Sequence, residues 1–320
     1  MRTRKLGNTD LKLTAVGLGT WAIGGPWQFG WGPQDDDEAV AAVLKAIDLG
    51  INWIDTAAIY GCGHSEELLG KALKKTKIKP IIATKCGLLW NKKREKVNCL
   101  KKESIRKECD DSLKRLGVKV IDLYQMHWPV PDEDIEEAWQ EMANLQKQGK
   151  VRYIGLSNVG VSHIERLRKI APVASVQPPH SMIRREIEKD LLGYCAKHNI
   201  GVVVYSPMQR GLLTGKFSKE HLAKLPPDDH RLRSPEFQEP QFSANLELVE
   251  KLKLIAKRSG RTLAQLAIAW VLRRPEVTAA IVGARNPSQI AETAPAADWI
   301  LTKTNIAEIE KLLAEREKKL

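Results

Sequence analysis

The sequence predicts an α/β fold: a closed (β/α)8 TIM barrel with an N-terminal β-hairpin cap and an extra C-terminal helix. Three observations predict it. Apolar strand-like runs alternate from end to end with stretches of 3.6-residue apolar spacing, a pattern that implies a parallel sheet with helical crossovers. The strand-like runs number eight within 320 residues, the complement of one barrel. No Gly-x-Gly-x-x-Gly turn joins a strand to a helix, as an open doubly wound sheet that binds dinucleotides would have, and Gly17-Leu18-Gly19 is too short to count. The whole chain, 1–320, therefore reads as a single domain.

The elements follow in order. Residues 3–13, with Gly7-Asn8 between two alternating runs, read as the hairpin. Strands are predicted at 13–18, 51–54, 81–84, 120–124, 151–156, 174–176, 201–204 and 279–282, each a short apolar run. Helices are predicted at 35–49, 101–116, 134–148, 161–170, 184–199 and 262–273. One more starts after Gly63 with acidic Glu66 and Glu67 in its first turn, where carboxylates suit the helix dipole, and a terminal one follows Asn305. Two long irregular segments, 23–33 and 211–241, each follow a strand and read as lids or binding loops.

Composition removes several function classes. No run of 18 apolar residues exists and the N-terminus lacks an apolar signal core, so a cytoplasmic location without membrane contact is expected. Five cysteines (Cys62, Cys86, Cys99, Cys109 and Cys195) include no Cys-x-x-Cys pair, which argues against disulfides and a structural metal. The formal charge of +12 raises the question of nucleic acid, but the lysines are spread along helix faces among acidic residues, as on a solvated surface. The expected partner is a small molecule.

Polar residues at predicted strand ends carry the chemistry. Asp55 and Tyr60 follow the second strand, Lys85 the third and His127 the fourth, all at the rim where a barrel builds its active site. A phenol is a weak acid near neutral pH, and a nearby ammonium eases its ionisation. Lys85 can supply that charge, and Asp55 can keep Lys85 protonated in a dry pocket, while His127 orients a substrate oxygen. The set offers a proton donor and no obvious nucleophile, which suggests addition to a carbonyl with hydride brought by a cofactor.

With these residues in place, the chain resembles the aldo-keto reductase family nearly end to end. The resemblance rests on Asp55-Thr-Ala-x-x-Tyr60-Gly-x-Gly-x-Ser65-Glu66, Ala83-Thr-Lys85, Gln125-x-His127, Gly155-Leu-Ser157-Asn158, Val176-Gln177, and Tyr205-Ser-Pro207 followed by Gly211-Leu-Leu-Thr-Gly215-Lys216. It implies carbonyl reduction or alcohol oxidation with Tyr60 as general acid, Lys85 lowering its pKa, Asp55 paired with Lys85 and His127 orienting the carbonyl. It further implies that Ser157, Asn158 and Gln177 bind the nicotinamide carboxamide and that Tyr205 stacks on its ring. Ser206, Met208, Gly211, Leu212 and Lys216 would line the pyrophosphate, with Arg231 from the second long loop, and Thr20 and Trp21 are expected to touch the cofactor after the first strand. Gly283, Arg285, Gln289 and Glu292 would hold the adenosine end. Arg285 points to a ribose 2′-phosphate, and so to NADP(H). Gln289 and Thr293 stand where many relatives carry Arg and Asn, and a guanidinium lying flat on adenine would admit NAD(H) as well.

Of nine tryptophans, Trp53, Trp139 and Trp270 fall inside regular elements and read as core, while Trp21, Trp90 and Trp128 follow strand ends and are expected to wall the substrate pocket with Tyr60 and His127. Trp27 and Trp31 lie in the first long loop. Two other readings stand beside the reductase. One is a regulatory subunit that retains the fold and binds cofactor, as potassium-channel β subunits resemble this family. The other is a Schiff-base aldolase with Lys85 as nucleophile, for which the cofactor-like segments have no role.

Overall fold

The computed structural model describes residues 1–226 and 229–320. Strands β1 (Thr3–Lys5) and β2 (Lys12–Thr14) pair antiparallel across the Gly7-Asn8 turn. Leu6, Leu11 and Leu13 of this hairpin pack with Trp53, Ala83, Leu123, Val203 and Ala279 in one buried cluster, which seals the barrel's N-terminal end. The barrel strands are β3 (Val16–Gly19), β4 (Trp53–Asp55), β5 (Ile81–Cys86), β8 (Ile121–Met126), β9 (Val151–Ser157), β10 (Ser175–Gln177), β11 (Gly201–Val204) and β12 (Ala279–Gly283). They close in sequence order, β12 pairing with β3, and every pair is parallel. All eight lie on the expected runs. A second hairpin, β6 (Leu88–Trp90) with β7 (Lys96–Asn98), stands on the rim after β5 and was not expected.

Helices α1 (Asp36–Asp48), α2 (His64–Lys74), α3 (Lys102–Leu116), α4 (Ile135–Lys147), α5 (Val161–Leu167) and α6 (Leu191–Lys197) occupy predicted positions. The expected helix 184–199 is shorter than its pattern: a 3-10 turn at Glu186–Glu188 precedes α6, and Asp190 caps α6 by accepting from the Leu191 N–H. In the segment 211–241, whose residues 227 and 228 lie outside the described residues, a short α7 (Lys219–Ala223) and 3-10 turns wrap a small core of Leu212, Phe217, Phe237 and Phe242. Beyond it, α8 (Gln241–Arg258), unanticipated, precedes α9 (Leu263–Val271), which starts on a Thr262/Gln265 capping box. A further unanticipated helix, α10 (Pro287–Thr293), follows β12, and α11 (Lys303–Glu317) ends the fold. Among the described residues no helix is long and apolar enough to cross a membrane.

Strand parity positions the site. Side chains alternate across a strand, so residues two apart share a face. Trp53, Ala83, Leu123 and Val203 belong to the apolar cluster inside the barrel, which puts Asp55, Lys85, Gln125 and Tyr205, each two residues on, above it toward the C-terminal rim. Gly17 admits the Trp53 indole to this interior, because a Cβ there would lie 2.1 Å from the ring.

Candidate active site

The floor of the site is a buried ion pair. Lys85 Nζ lies 2.5 Å from Asp55 Oδ1 and also donates to the Thr56 carbonyl at 2.9 Å and to Tyr60 Oη at 3.3 Å. Asp55 Oδ2 accepts from Gln177 Nε2 at 2.8 Å and Gln125 Nε2 at 3.3 Å, and Gln177 Nε2 also donates to Gln125 Oε1. The carboxylate is therefore held from β5, β8 and β10 at once. Burial pulls the Lys85 ammonium below its ordinary value, while Asp55 works in the opposite direction.

The scaffold behind this pair uses Ser65 and Glu66 of the same motif, residues given no scaffold role from sequence. Ser65, at the start of α2, donates to the Thr20 carbonyl and hydroxyl at 3.0 and 2.8 Å, and Thr20 in turn donates to the Asp55 carbonyl. Glu66 accepts from Thr84 at 2.6 Å and from Arg115 at 2.7 Å, tying α2 to β5 and α3. The loop bearing Tyr60 is pressed against the first long loop, since a Cβ on Gly61 would lie 1.9 Å from the Gly24 carbonyl.

Tyr60 and His127 face each other edge-on, with ring centroids 5.7 Å apart. Lys85, expected to make the phenol more acidic, lies 3.3 Å from its Oη. Burial, followed by the Asp55 charge, pushes Tyr60 well above its ordinary value, so the hydroxyl stays protonated at neutral pH. Burial and the positive charges of Lys85 and Lys96 hold His127 well below the usual imidazole range, so it is neutral. Lys85 uses its ammonium on three acceptors and is enclosed, which suits a fixed charge beside Tyr60.

On the next strands Asn158, in a left-handed conformation, donates to the His127 carbonyl at 2.9 Å and accepts from Tyr205 Oη at 2.8 Å, and Ser157 donates to the Gln177 carbonyl. These bonds set Ser157, Asn158, Gln177 and Tyr205 along one wall. The cavity they line measures about 680 Å³ and also takes in Trp21, Tyr60, His127, Trp128, Ser206, Met208, Gly211, Lys216, Arg231, Gly283, Arg285, Gln289 and Glu292. Besides Lys85, which is enclosed beneath Tyr60, three expected residues do not reach its wall. Trp90 lies outside, against Arg115; Leu212 is turned into the phenylalanine core; Thr20 is buried under Asp55.

The residues along the cleft fit a dinucleotide. Lys216, Arg231 and Arg285 bring positive charge to the cleft, and the buried Trp31 Nε1 and His230 Nδ1 have no hydrogen-bond partner among the described residues. Ser206, Gln209, Arg210 and Gly211 all have positive φ, the kind of strained backbone that collects at ligand sites. Lys216 pairs with Glu292 at 3.6 Å and Arg231 with Asp229 at 2.6 Å. Among the described residues Arg285 makes no ion pair with a carboxylate, and Glu38 acts on it only at longer range. Its guanidinium donates to Gln34 Oε1 at 2.7 Å and to the carbonyls of Trp31 and Pro33, and Gln289 accepts from its backbone N–H. Arg231 lies over the Trp31 ring and Trp21 meets both Trp31 and His230, so the two long loops join across the cleft.

Trp27, Phe29, Leu88 and Lys96 also line the cavity and were not among the pocket residues named from sequence. The aromatic content of the first loop was the available signal; the hairpin that delivers Leu88 and Lys96 left none.

A phenol and an imidazole meet at the C-terminal rim of this barrel and face a cleft that fits a dinucleotide, an arrangement suited to carbonyl oxidoreduction. The Aldo/keto reductase family model matches residues 15–314, and the chain belongs to that family. It is 37% identical over 316 residues to Aldo-keto reductase YhdN of Bacillus subtilis (strain 168), covering 98% of this chain and 94% of that protein. Identity to the NADH-specific methylglyoxal reductase of Escherichia coli (strain K12) is 35% over 311 residues, covering 92% and 93%. The glycerol dehydrogenase AKR11B4 from Gluconobacter oxydans superposes with a TM-score of 0.90 at 40% identity, covering 98% of this chain and 95% of that one.

Proposed function

We propose that this protein interconverts aldehydes or ketones, sugars among them, with alcohols by hydride transfer, using Tyr60 as general acid in reduction and general base in oxidation. The observation that carries this is the enclosed Asp55–Lys85 pair, whose ammonium sits 3.3 Å from Tyr60 Oη beside a neutral His127. A bound nicotinamide dinucleotide supplies the hydride. Ser157, Asn158, Gln177 and Tyr205 would hold its nicotinamide end, Ser206, Met208, Gly211, Lys216 and Arg231 its diphosphate, and Gly283, Arg285, Gln289 and Glu292 its adenosine.

In the reductive direction the carbonyl oxygen accepts a hydrogen bond from Tyr60 Oη, with the His127 imidazole steering it. As negative charge grows on that oxygen, Tyr60 gives up its proton and the Lys85 ammonium stabilises the phenolate left behind. Asp55 keeps Lys85 charged through this step. Trp27, Phe29 and Trp128 limit water around the reacting group.

NADP(H) is preferred in this reading because Arg285 forms no direct ion pair among the described residues, Glu38 acting on its charge only at longer range, although the methylglyoxal relative is NADH-specific. The test is tryptophan-fluorescence titration with NADPH and NADH, followed by cofactor oxidation with a panel of aldehydes, ketones and sugars. Binding with consumption is expected. Binding without consumption across the panel would favour a regulatory cofactor-binding subunit, and no binding would defeat the cofactor assignment.

A further inference from the structure

The outer mouth of the substrate side carries a charge that the Tyr60 chemistry does not use. Hairpin β6–β7 brings Lys96 to the cavity wall together with Trp27, Phe29 and Trp128. The hairpin is pinned: the Lys96 backbone N–H donates to Gln28 Oε1 at 2.9 Å, and Arg94 at its turn donates to the Gly61 carbonyl at 3.0 Å. The Lys96 side chain has no ion pair or hydrogen bond among the described residues. The acidic residues that line the cavity are committed elsewhere, Asp55 to Lys85 and Glu292 to Lys216. Glu95, the acidic neighbour on the hairpin, accepts from Asn91 at 2.8 Å, while Lys92 and Lys93 add exposed positive charge beside it.

An exposed lysine is ordinarily a solvated one. Lys96 differs in three respects: it sits on a fixed hairpin, it opens onto the catalytic cavity, and its positive charge is felt at the His127 ring. A substrate whose carbonyl lies against Tyr60 and His127 therefore extends past apolar aromatic walls toward an uncompensated ammonium. Given the reductase reading above, on which this rests, we propose that Lys96 forms a subsite for an anionic substrate tail. The preferred carbonyl compounds then carry a carboxylate or a phosphate ester.

The experiment compares charged and neutral partners: 4-carboxybenzaldehyde with methyl 4-formylbenzoate, and glyceraldehyde 3-phosphate with glyceraldehyde. Each is assayed in wild type, Lys96→Gln, Lys96→Glu and Lys96→Arg. Taking the charged-to-neutral ratio of kcat/KM in each protein, and comparing it between proteins, cancels the intrinsic reactivity of the aldehydes. Lys96→Gln is expected to lower that ratio about three- to tenfold, chiefly through KM, as suits a partly solvated ion pair. Lys96→Glu should lower it further, Lys96→Arg should retain it, and added salt should erode it in the wild type. A drop confined to one pair identifies the tail as carboxylate or phosphate. Equal ratios in wild type and Lys96→Gln for both pairs would overturn the subsite while turnover of the neutral aldehydes leaves the reductase reading intact. No turnover of any of the four by wild type would remove both.

Discussion

Asp55→Asn isolates what the buried pair does, because the two side chains have nearly the same shape. Asp55 accepts on both oxygens: Oδ1 from Lys85 at 2.5 Å, Oδ2 from Gln177 at 2.8 Å and Gln125 at 3.3 Å. An asparagine has one acceptor and one NH2, so either orientation sets a donor against a donor. If the NH2 faces the glutamines, two amide contacts are lost; if it faces Lys85, the ammonium loses its partner. In both cases a fully buried cation is left without its counter-charge, a change that costs about 3–5 kcal/mol when a buried pair is broken. Burial already pulls Lys85 down, and without Asp55 its pKa falls further. The folded value then lies well below the unfolded one, so the unfolded chain holds more protons between the two and the variant gains stability as pH rises through that interval.

Catalysis follows the same charge. Removing the Asp55 carboxylate by itself eases ionisation of Tyr60, since that charge contributes to its raised pKa. Loss of the Lys85 proton acts the other way and from 3.3 Å, so the phenolate formed in the transition state loses its stabiliser. The expected fall in kcat is about 10²–10³, the usual scale for deleting one electrostatic stabiliser, with the alkaline limb of the pH profile displaced to lower pH. Urea unfolding at several pH values and pH-dependent turnover of one aldehyde measure both effects. A variant within about 1 kcal/mol of wild type and with an unmoved alkaline limb would refute the coupling.

Three further substitutions test neighbouring parts of the site and scaffold. Tyr60→Phe removes one 3.3 Å hydrogen bond and should leave cofactor binding and fold intact while kcat falls about 10²–10⁴, and a kcat within threefold of wild type would remove the acid role. Arg285→Ala should weaken NADPH more than NADH in the fluorescence titration; equal losses would leave Arg285 only the role of fastening Trp31, Pro33 and Gln34. Glu108, buried between Ser104 Oγ and the Gly87 N–H beneath the rim, is pushed by burial up to about 7 from 4.5. Between those values the folded chain holds the extra proton, so wild-type stability falls as pH rises, and Glu108→Gln should flatten that slope by up to about 1.4 kcal/mol per pH unit in denaturant titrations. Parallel slopes would exclude it.

By itself the sequence determined the eight strands, because each buried strand is a short apolar run whose boundaries a local pattern reveals. It also placed Asp55, Tyr60, Lys85 and His127 on one rim, since in a parallel barrel the end of every strand faces the same way. What depended on contacts between distant residues was decided only in three dimensions. Local periodicity carries no trace of Gln125 and Gln177 sharing Asp55, of Arg285 being taken up by the loop at Trp31–Gln34, or of Trp90 turning out of the pocket while Trp27, Phe29 and Lys96 turn into it. The protonation states were decided there too. Tyr60 resembles a lowered phenol when only its charged neighbour is counted, but its pKa depends on how much water the folded walls exclude, and burial together with the Asp55 charge raises it.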